Sequence, residues 1–409
     1  MNVLVVTHNV PTLTSGYGKR NGYLLRALCA AHHVTLLVIA DDPAEAARDI
    51  EPYTASLAAS QIVVAPRLNK RVLQVASIAL RQPSITLRFS PPALKQALKY
   101  QLARERFDAV IFQSVIVADH GLPADQFIVI DEHNIEFELL ERSAEQAPSL
   151  ARRIHYTLEA ATLKRTELRL LSRANLVTIT SDREREELRR LIPGAEVVTV
   201  PNGVDTTAFA PMANRPEIAG RVLFTGTMDY HPNEQAAQYF AGAIWPGIRA
   251  QVPDATWYVV GANPPASVTR LGDMPGVTVT GGVPETQPYF ADAAVTVAPL
   301  LVGGGTRLKI LEALAMEKAV VTTSLGCEGL DVTNGKHLVI EDESEAFAAA
   351  TARLLNDPAE RRRLGAAGRA LVERRYSWAQ SGRELVDALE RGVASQEETE
   401  DRYGAMAGG

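Results

Sequence analysis

A rhythm of short apolar runs dominates the sequence. "NVLVVT" (2 to 7), "VTLLVIA" (34 to 40), "AVIFQ" (109 to 113), "FIVID" (127 to 131), "NLVTIT" (175 to 180) and "EVVTVP" (196 to 201) are separated by longer helical patterns. Near-continuous β-branched strands alternating with helices require parallel sheets covered on both faces. The rhythm restarts with "RVLFTGT" (221 to 227), a helix expected over about 233 to 251, "TWYVVG" (256 to 261), "VTVTG" (277 to 281), "AVTVAP" (294 to 299), a helix near 306 to 317 and "AVVTT" (319 to 323). At 409 residues the chain exceeds most single cores. The expectation is an α/β protein of two doubly wound domains, 1–200 and 221–375. The Pro-, Gly- and Asn-rich stretch "PNGVDTTAFAPMANRPEIAG" (201 to 220) joins them. A C-terminal helix, 376–395, is expected to pack back on the first domain, and a polar tail, 396–409, to fray.

Composition narrows the function classes. With 46% apolar and 22% charged residues the chain reads as globular. No segment approaches the roughly 20 apolar residues of a membrane span. No basic stretch precedes an apolar one at the start, and Cys29 and Cys327 are the only cysteines, so a cytoplasmic protein with reduced thiols is expected. Net charge is −6, yet nine Lys and Arg fall between Arg67 and Arg106 against one acid, Glu105. Lys70, Arg71, Arg81 and Arg88 are interleaved with apolar residues, a pattern that suits a helix at an anionic membrane surface. A solvated helical face with its apolar side in the core is the competing reading. Nucleic acid is disfavoured, because no binding motif accompanies the charge.

Two glycine-rich stretches are candidate phosphate sites. In "VVTHNVPTLTSGYGKRNGYLLRAL" the glycines Gly16, Gly18 and Gly22 precede or open a helix. A dinucleotide fingerprint needs Gly-x-Gly-x-x-Gly directly after the first strand. Here eight residues, His8 to Ser15, intervene, and one extra residue precedes the third glycine. Flexible N–H groups with Lys19 and Arg20 still offer an anion site; an ordinary turn is the alternative. In "APLLVGGGTRLKILEALAMEKAVVTT" Gly303, Gly304 and Gly305 sit between a strand and a helix, with Thr306, Arg307 and Lys309 following and Glu312 one turn on. Three glycines let a diphosphate approach the backbone, two cations balance it, and Glu312 can accept ribose hydroxyls. The competing reading is a surface Lys309–Glu312 pair.

"PNGVDTTAF", "VLFTGTMDYHPN", "VTVTGGVPE" and "GGGTRLKILEALAMEKAVVTT", preceded by "SGYGKRNGYLLRAL" and "DEHNIEFE" (131 to 138), resemble in this order the retaining glycosyltransferases of family four. That resemblance implies the GT-B fold: two Rossmann-like domains facing across a cleft, the first binding acceptor and the second a nucleotide-sugar. It implies His133 facing the donor sugar, Glu312 on the ribose, and Gly282 and Val283 in the base pocket. The family's first Glu, separated from the second by seven intervening residues, is Gly304 here, so backbone N–H groups replace a carboxylate. Its usual Arg and Lys after the first strand of the second domain are absent from "FTGTMDYHPNE", which leaves diphosphate binding to Arg307 and Lys309.

The expected activity is retaining transfer of a hexosyl unit from a nucleoside diphosphate sugar to a glycan or lipid-linked acceptor hydroxyl. His133, Arg307 and Lys309 are the expected catalytic residues. Gly16, Gly18, Gly282, Val283, Gly303, Gly304, Gly305, Thr306 and Glu312 are expected at the donor. No metal or cofactor is expected, because no Asp-x-Asp occurs. Peripheral association with the inner membrane face follows from the basic segment. A GT-B nucleotide-sugar epimerase, or a regulator that binds donor without turnover, remains the alternative.

Overall fold

In β1 (Asn2–Thr7) successive side chains go to opposite faces of a sheet, Leu4 and Val6 to one apolar cluster and Val3 and Val5 to another. All four are buried, which is why the run contains no polar alternation. The computed structural model describes residues 1–8, 10–12, 16–65, 69–80, 82–119, 122–123, 126–145, 147 and 149–407, with 70, 71, 74, 75, 78 and 400–407 described by backbone alone.

The chain divides into two units, Met1–Pro201 with Ser381–Gly409, and Asn202–Gln380. In the first, β2 (His33–Ala40), β3 (Ala59–Val64), β4 (Ala109–Gln113), β5 (Phe127–Asp131), β6 (Leu176–Ile179) and β7 (Val197–Thr199) join β1 in the order β3-β2-β1-β4-β5-β6-β7. Every pairing is parallel, with Val3 opposite Val34 on one side and Ala109 on the other. Strand order reverses between β1 and β4, and ligands of open α/β sheets bind beyond the strand C-termini at such a reversal. The second unit repeats the plan with β8 (Arg221–Thr225), β9 (Thr256–Val260), β10 (Val277–Gly281), β11 (Val295–Ala298), β12 (Ala319–Thr322) and β13 (Val339–Ile340) in the order β10-β9-β8-β11-β12-β13. Its reversal lies between β8 and β11. Each sheet carries an apolar cluster on either face.

Three expected boundaries move. The joining stretch is anchored to the second unit: Ile218 N–H donates to Asp292 O at 2.8 Å, and Arg215 Nε donates to Asp292 Oδ1 at 2.6 Å. The helix expected over 233 to 251 is helix His231–Tyr239, a π-helical turn Phe240–Ile244 and helix Trp245–Gln251. Pro246 cannot donate a backbone hydrogen bond, and the wider turn before it absorbs the mismatch. The last helix runs Trp378–Ala407 instead of ending at 395, since Gln396, Glu397, Glu398, Glu400 and Arg402 are good helix formers and no proline follows Ser395. Within the first unit Leu385, Ala388, Leu389 and Val393 of this helix join the cluster containing Val3 and Val5. A Cβ on Gly392 would fall 2.4 Å from the Phe127 ring, so that glycine lets the helix approach the sheet.

Candidate active site

In the second unit the glycine-rich stretch connects β11 to helix Leu308–Ala315, at the strand reversal. Gly303 (φ +117°) and Gly305 (φ +71°) hold backbone conformations that side chains resist. Helix formation begins only at Leu308, with Arg307 at its N-cap, so Thr306 belongs to the loop. Ile310, Leu311, Leu314 and Ala315 are buried, which fixes the rotation of the helix.

That rotation sends Lys309 toward the end of β8. Its Nζ donates to Asn233 Oδ1 at 2.6 Å and lies 4.3 Å from the centre of the Phe224 ring. Burial, then the neighbouring Arg307 charge, pull the Lys309 amine down to about 7, against the pull of Glu312. Arg307 turns back on its own loop, with Nη1 donating to Gly304 O. Glu312 is nearly buried on the same short helix. Gly226, which follows β8, faces this group: a Cβ there would lie 2.7 Å from Asn233 Nδ2 and 2.9 Å from Lys309 Nζ. A Cβ on Gly261, which follows β9, would run into the carbonyl oxygen of Gly226. Gly303, Gly304, Gly305, Thr306, Arg307, Lys309 and Glu312 thus form one loop and helix. Gly282 and Val283 follow β10 at the sheet edge, where a Cβ on Gly282 would touch Ala262 at 3.6 Å.

In the first unit the expected glycine loop is helix. Helix Gly16–Ala31 includes Gly16, Gly18 and Gly22, with Gly16 and Gly18 in its first turn, where N–H groups have no partner within the helix. Arg20, expected at an anion, is fully buried and committed to Asp131 at the end of β5. Its Nε and Nη2 reach the two carboxylate oxygens at 3.1 and 2.5 Å, and its Nη1 donates to Val200 O at 2.8 Å. Burial pushes the Asp131 carboxyl up, but the Arg20 charge and hydrogen bonds hold it below its ordinary value.

Between the two glycines, Tyr17 stacks on His133 with ring centroids 4.3 Å apart and planes 15° apart. Its hydroxyl donates to Glu136 Oε1 at 2.9 Å. Burial drives the His133 imidazole down to about 3, and the nearby Asp131 only partly opposes this, so the ring is neutral at physiological pH. His133 Nε2 is buried with no hydrogen-bond partner among the described residues, 3.9 Å from Asp131 Oδ2. His8, beyond β1, is likewise driven down by burial, to about 4. Glu132 accepts the Val115 N–H at 2.7 Å, and Glu167 caps helix Glu136–Glu145 by accepting the N–H groups of Glu136 and Phe137, both at 3.0 Å. Burial, then repulsion from Glu167, holds the Glu132 carboxyl well above its ordinary range. Burial, then repulsion from Glu136, likewise raises the Glu167 carboxyl above its ordinary range.

Sequence reasoning did not single out Tyr17, Glu136, Phe224 or Asn233, although all four lie inside or beside the motifs quoted for other residues. The side chains of Lys70 and Arg71, and residues Arg67 and Arg81, lie outside the described residues. Arg88 pairs with Asp41 at 3.5 Å. Among the described residues, no group of three or more His, Cys, Asp or Glu is placed to hold a metal ion. No described helix is long and apolar enough to cross a membrane.

A family model described as Glycosyltransferase Family 4 matches residues 14–208, and one described as Glycosyl transferases group 1 matches residues 219–357. The chain is 30% identical over 207 residues to the phosphatidyl-myo-inositol mannosyltransferase of Mycolicibacterium smegmatis, covering 48% of this chain and 52% of that protein. It is 28% identical over 249 residues to the GDP-mannose-dependent alpha-(1-6)-phosphatidylinositol monomannoside mannosyltransferase of the same organism, covering 55% and 65%. The matches thus span about half to two thirds of these relatives. Sucrose-phosphate synthase from Thermosynechococcus elongatus superposes with a TM-score of 0.72 at 19% identity, over 97% of this chain and all of that one. The chain belongs to the family 4-like glycosyltransferases with the GT-B fold.

Proposed function

We propose that the chain moves a hexosyl unit from a nucleoside diphosphate sugar to an acceptor hydroxyl, with retention and without a resident metal. The observation that carries this reading is the grouping of Lys309 and Arg307 with three glycines where the strand order of the second sheet reverses. In the reaction the bond from the anomeric carbon to the phosphate oxygen breaks and a bond to the acceptor oxygen forms on the same face. The departing phosphate oxygen takes the acceptor proton. Charge grows on the diphosphate as the bond breaks, and a preorganised cation there lowers the barrier by on the order of 3 kcal/mol. Lys309, with its amine near 7, is drawn to the charged form by an arriving diphosphate. Neutral His133 offers a hydrogen bond to a sugar hydroxyl, and Glu312 accepts from the ribose.

The relatives' names make GDP-mannose the first donor to test and a lipid-linked glycan the acceptor class. Peripheral membrane association is supported by helix Leu150–Leu171, where Leu150, Ile154 and Leu158 are 73%, 52% and 55% exposed at four-residue spacing. Arg152 and Arg153 are exposed beside them. Apolar anchors flanked by cations suit an anionic surface.

The test is incubation of the chain with GDP-mannose or UDP-glucose and a lipid-linked glycan, with and without chelator, followed by NMR of the product's anomeric centre. A new glycoside of unchanged anomeric configuration, formed equally with chelator, is expected. An inverted product removes the retaining mechanism, and loss of activity with chelator removes metal independence. Donor converted to another nucleotide-sugar without acceptor removes the transferase reading.

A further inference from the structure

Asn233 is 7% exposed and has both ends of its side-chain amide engaged. Nδ2 donates to Thr227 O at 2.9 Å, while Oδ1 accepts from Lys309 Nζ at 2.6 Å. Turning the amide over would set its NH2 against the ammonium group and its oxygen against the Thr227 carbonyl, two repulsions in place of two bonds. The backbone therefore dictates that the oxygen faces Lys309. The local sequence supports this arrangement. Pro232 occupies the first turn of helix His231–Tyr239, and the Asn233 N–H donates to Tyr230 O at 2.8 Å. Gly226 leaves room for the amide and the amine together, because a Cβ there would press on both.

We propose that Asn233 is a positioning residue for donor binding, holding the Lys309 amine across to the end of β8 so that it meets the diphosphate arriving at the glycine loop. This rests on the reading of Lys309 as a phosphate ligand. The groups facing the amine are the Phe224 ring on β8, Asn233 on the adjoining helix, Arg307 at the helix N-cap and Glu312 one turn along. Of these, Phe224, Asn233 and Glu312 favour the ammonium form and Arg307 opposes it. Lys309 is already down at about 7. Loss of the amide oxygen lowers it further and leaves more of the amine neutral at pH 8.

The experiment is calorimetric titration of the full chain with GDP and with UDP at pH 6 and pH 8. The proteins compared are the wild type, Asn233→Ala and Asn233→Asp. Diphosphate binding needs the cation, so wild-type affinity falls from pH 6 to pH 8. If Asn233→Ala makes the amine hold its proton tenfold less tightly, binding weakens by about twofold at pH 6 and about tenfold at pH 8 relative to wild type. Asn233→Asp places a carboxylate at the same distance. It weakens binding at both pH values by charge repulsion but flattens the fall between them, because the amine stays protonated. Equal losses at both pH values in Asn233→Ala, or none, would overturn the positioning role while leaving the donor site standing. Should Asn233→Ala fail to fold, the slope in Asn233→Asp decides: a fall between pH 6 and pH 8 as steep as in wild type refutes the proposal. Wild type that binds neither nucleotide refutes the donor reading, and this role with it.

Discussion

Asp131→Asn removes one charge from the buried pair that ties helix Gly16–Ala31 to the end of β5. Arg20 is fully buried, Asp131 is 1% exposed, and three of Arg20's hydrogen-bonding atoms are committed to Asp131 or Val200. An amide at 131 keeps the shape but leaves the guanidinium without its counter-charge. Breaking one side of such a pair costs about 3–5 kcal/mol. In a unit of this size each kcal/mol moves the melting temperature by about 2–4 °C, so the transition should fall by roughly 6–20 °C. Far-UV circular dichroism follows both units, while Trp245, Trp257 and Trp378 all lie in the second. The dichroism transition should therefore shift more than the tryptophan one.

The pH dependence gives the sharper test. The Asp131 carboxyl sits below its ordinary value in the folded chain, so its stabilisation is complete above that ordinary value, near 3.8. It is lost as pH falls toward the depressed native value, where the unfolded chain binds the extra proton. The deficit of Asp131→Asn should accordingly be largest at pH 7 and shrink at pH 3. Arg20→Met combined with Asp131→Leu should recover most of the loss, because two apolar residues need no counter-charge. A deficit under about 1 kcal/mol at pH 7, or one of equal size at pH 3, would refute this account.

Lys309→Ala should lower turnover about 100-fold with the fold intact by circular dichroism, since a cation of this kind contributes on the order of 3 kcal/mol; turnover within threefold of wild type removes its role. Gly226→Ala should weaken GDP or UDP binding in calorimetry and destabilise the chain by about 1–3 kcal/mol, because the new methyl presses on Asn233 and Lys309. The ring resonances of His133 should stay flat from pH 5 to pH 8 in NMR, given an imidazole driven down to about 3, and a midpoint near 6.5 would show that the ring is not buried as described. Replacing Leu150, Ile154 and Leu158 together with Ser should reduce sedimentation with vesicles of phosphatidylglycerol while leaving melting nearly unchanged, as the three side chains are largely exposed; unaltered sedimentation removes that surface from the membrane reading.

The central strands were legible because both faces of each are covered, which leaves an unbroken apolar run for the eye. The edges were not. In β3 the run "ASQIVV" is half exposed, and β13 is two residues long, so neither shows the pattern that marked β1 or β11. The break in the helix after Tyr239 was visible only as Pro246, whose effect falls on the turn before it.

The two glycine stretches divide for a reason that local sequence cannot carry. Both combine glycines with two cations near a helix start, and composition treats them alike. What separates them is the partner each cation meets from elsewhere in the fold. Arg20 meets Asp131, 111 residues away, and is neutralised inside the protein. Lys309 meets the amide oxygen of Asn233, 76 residues away, and the face of Phe224, neither of which cancels its charge. A neutral acceptor orients a cation and leaves its field available to a ligand, whereas a carboxylate consumes it. The same logic explains Tyr17, which the glycines on either side concealed: its chemistry lies in stacking on His133 and donating to Glu136, contacts that close only when β5 brings residues 133 and 136 beside the first helix.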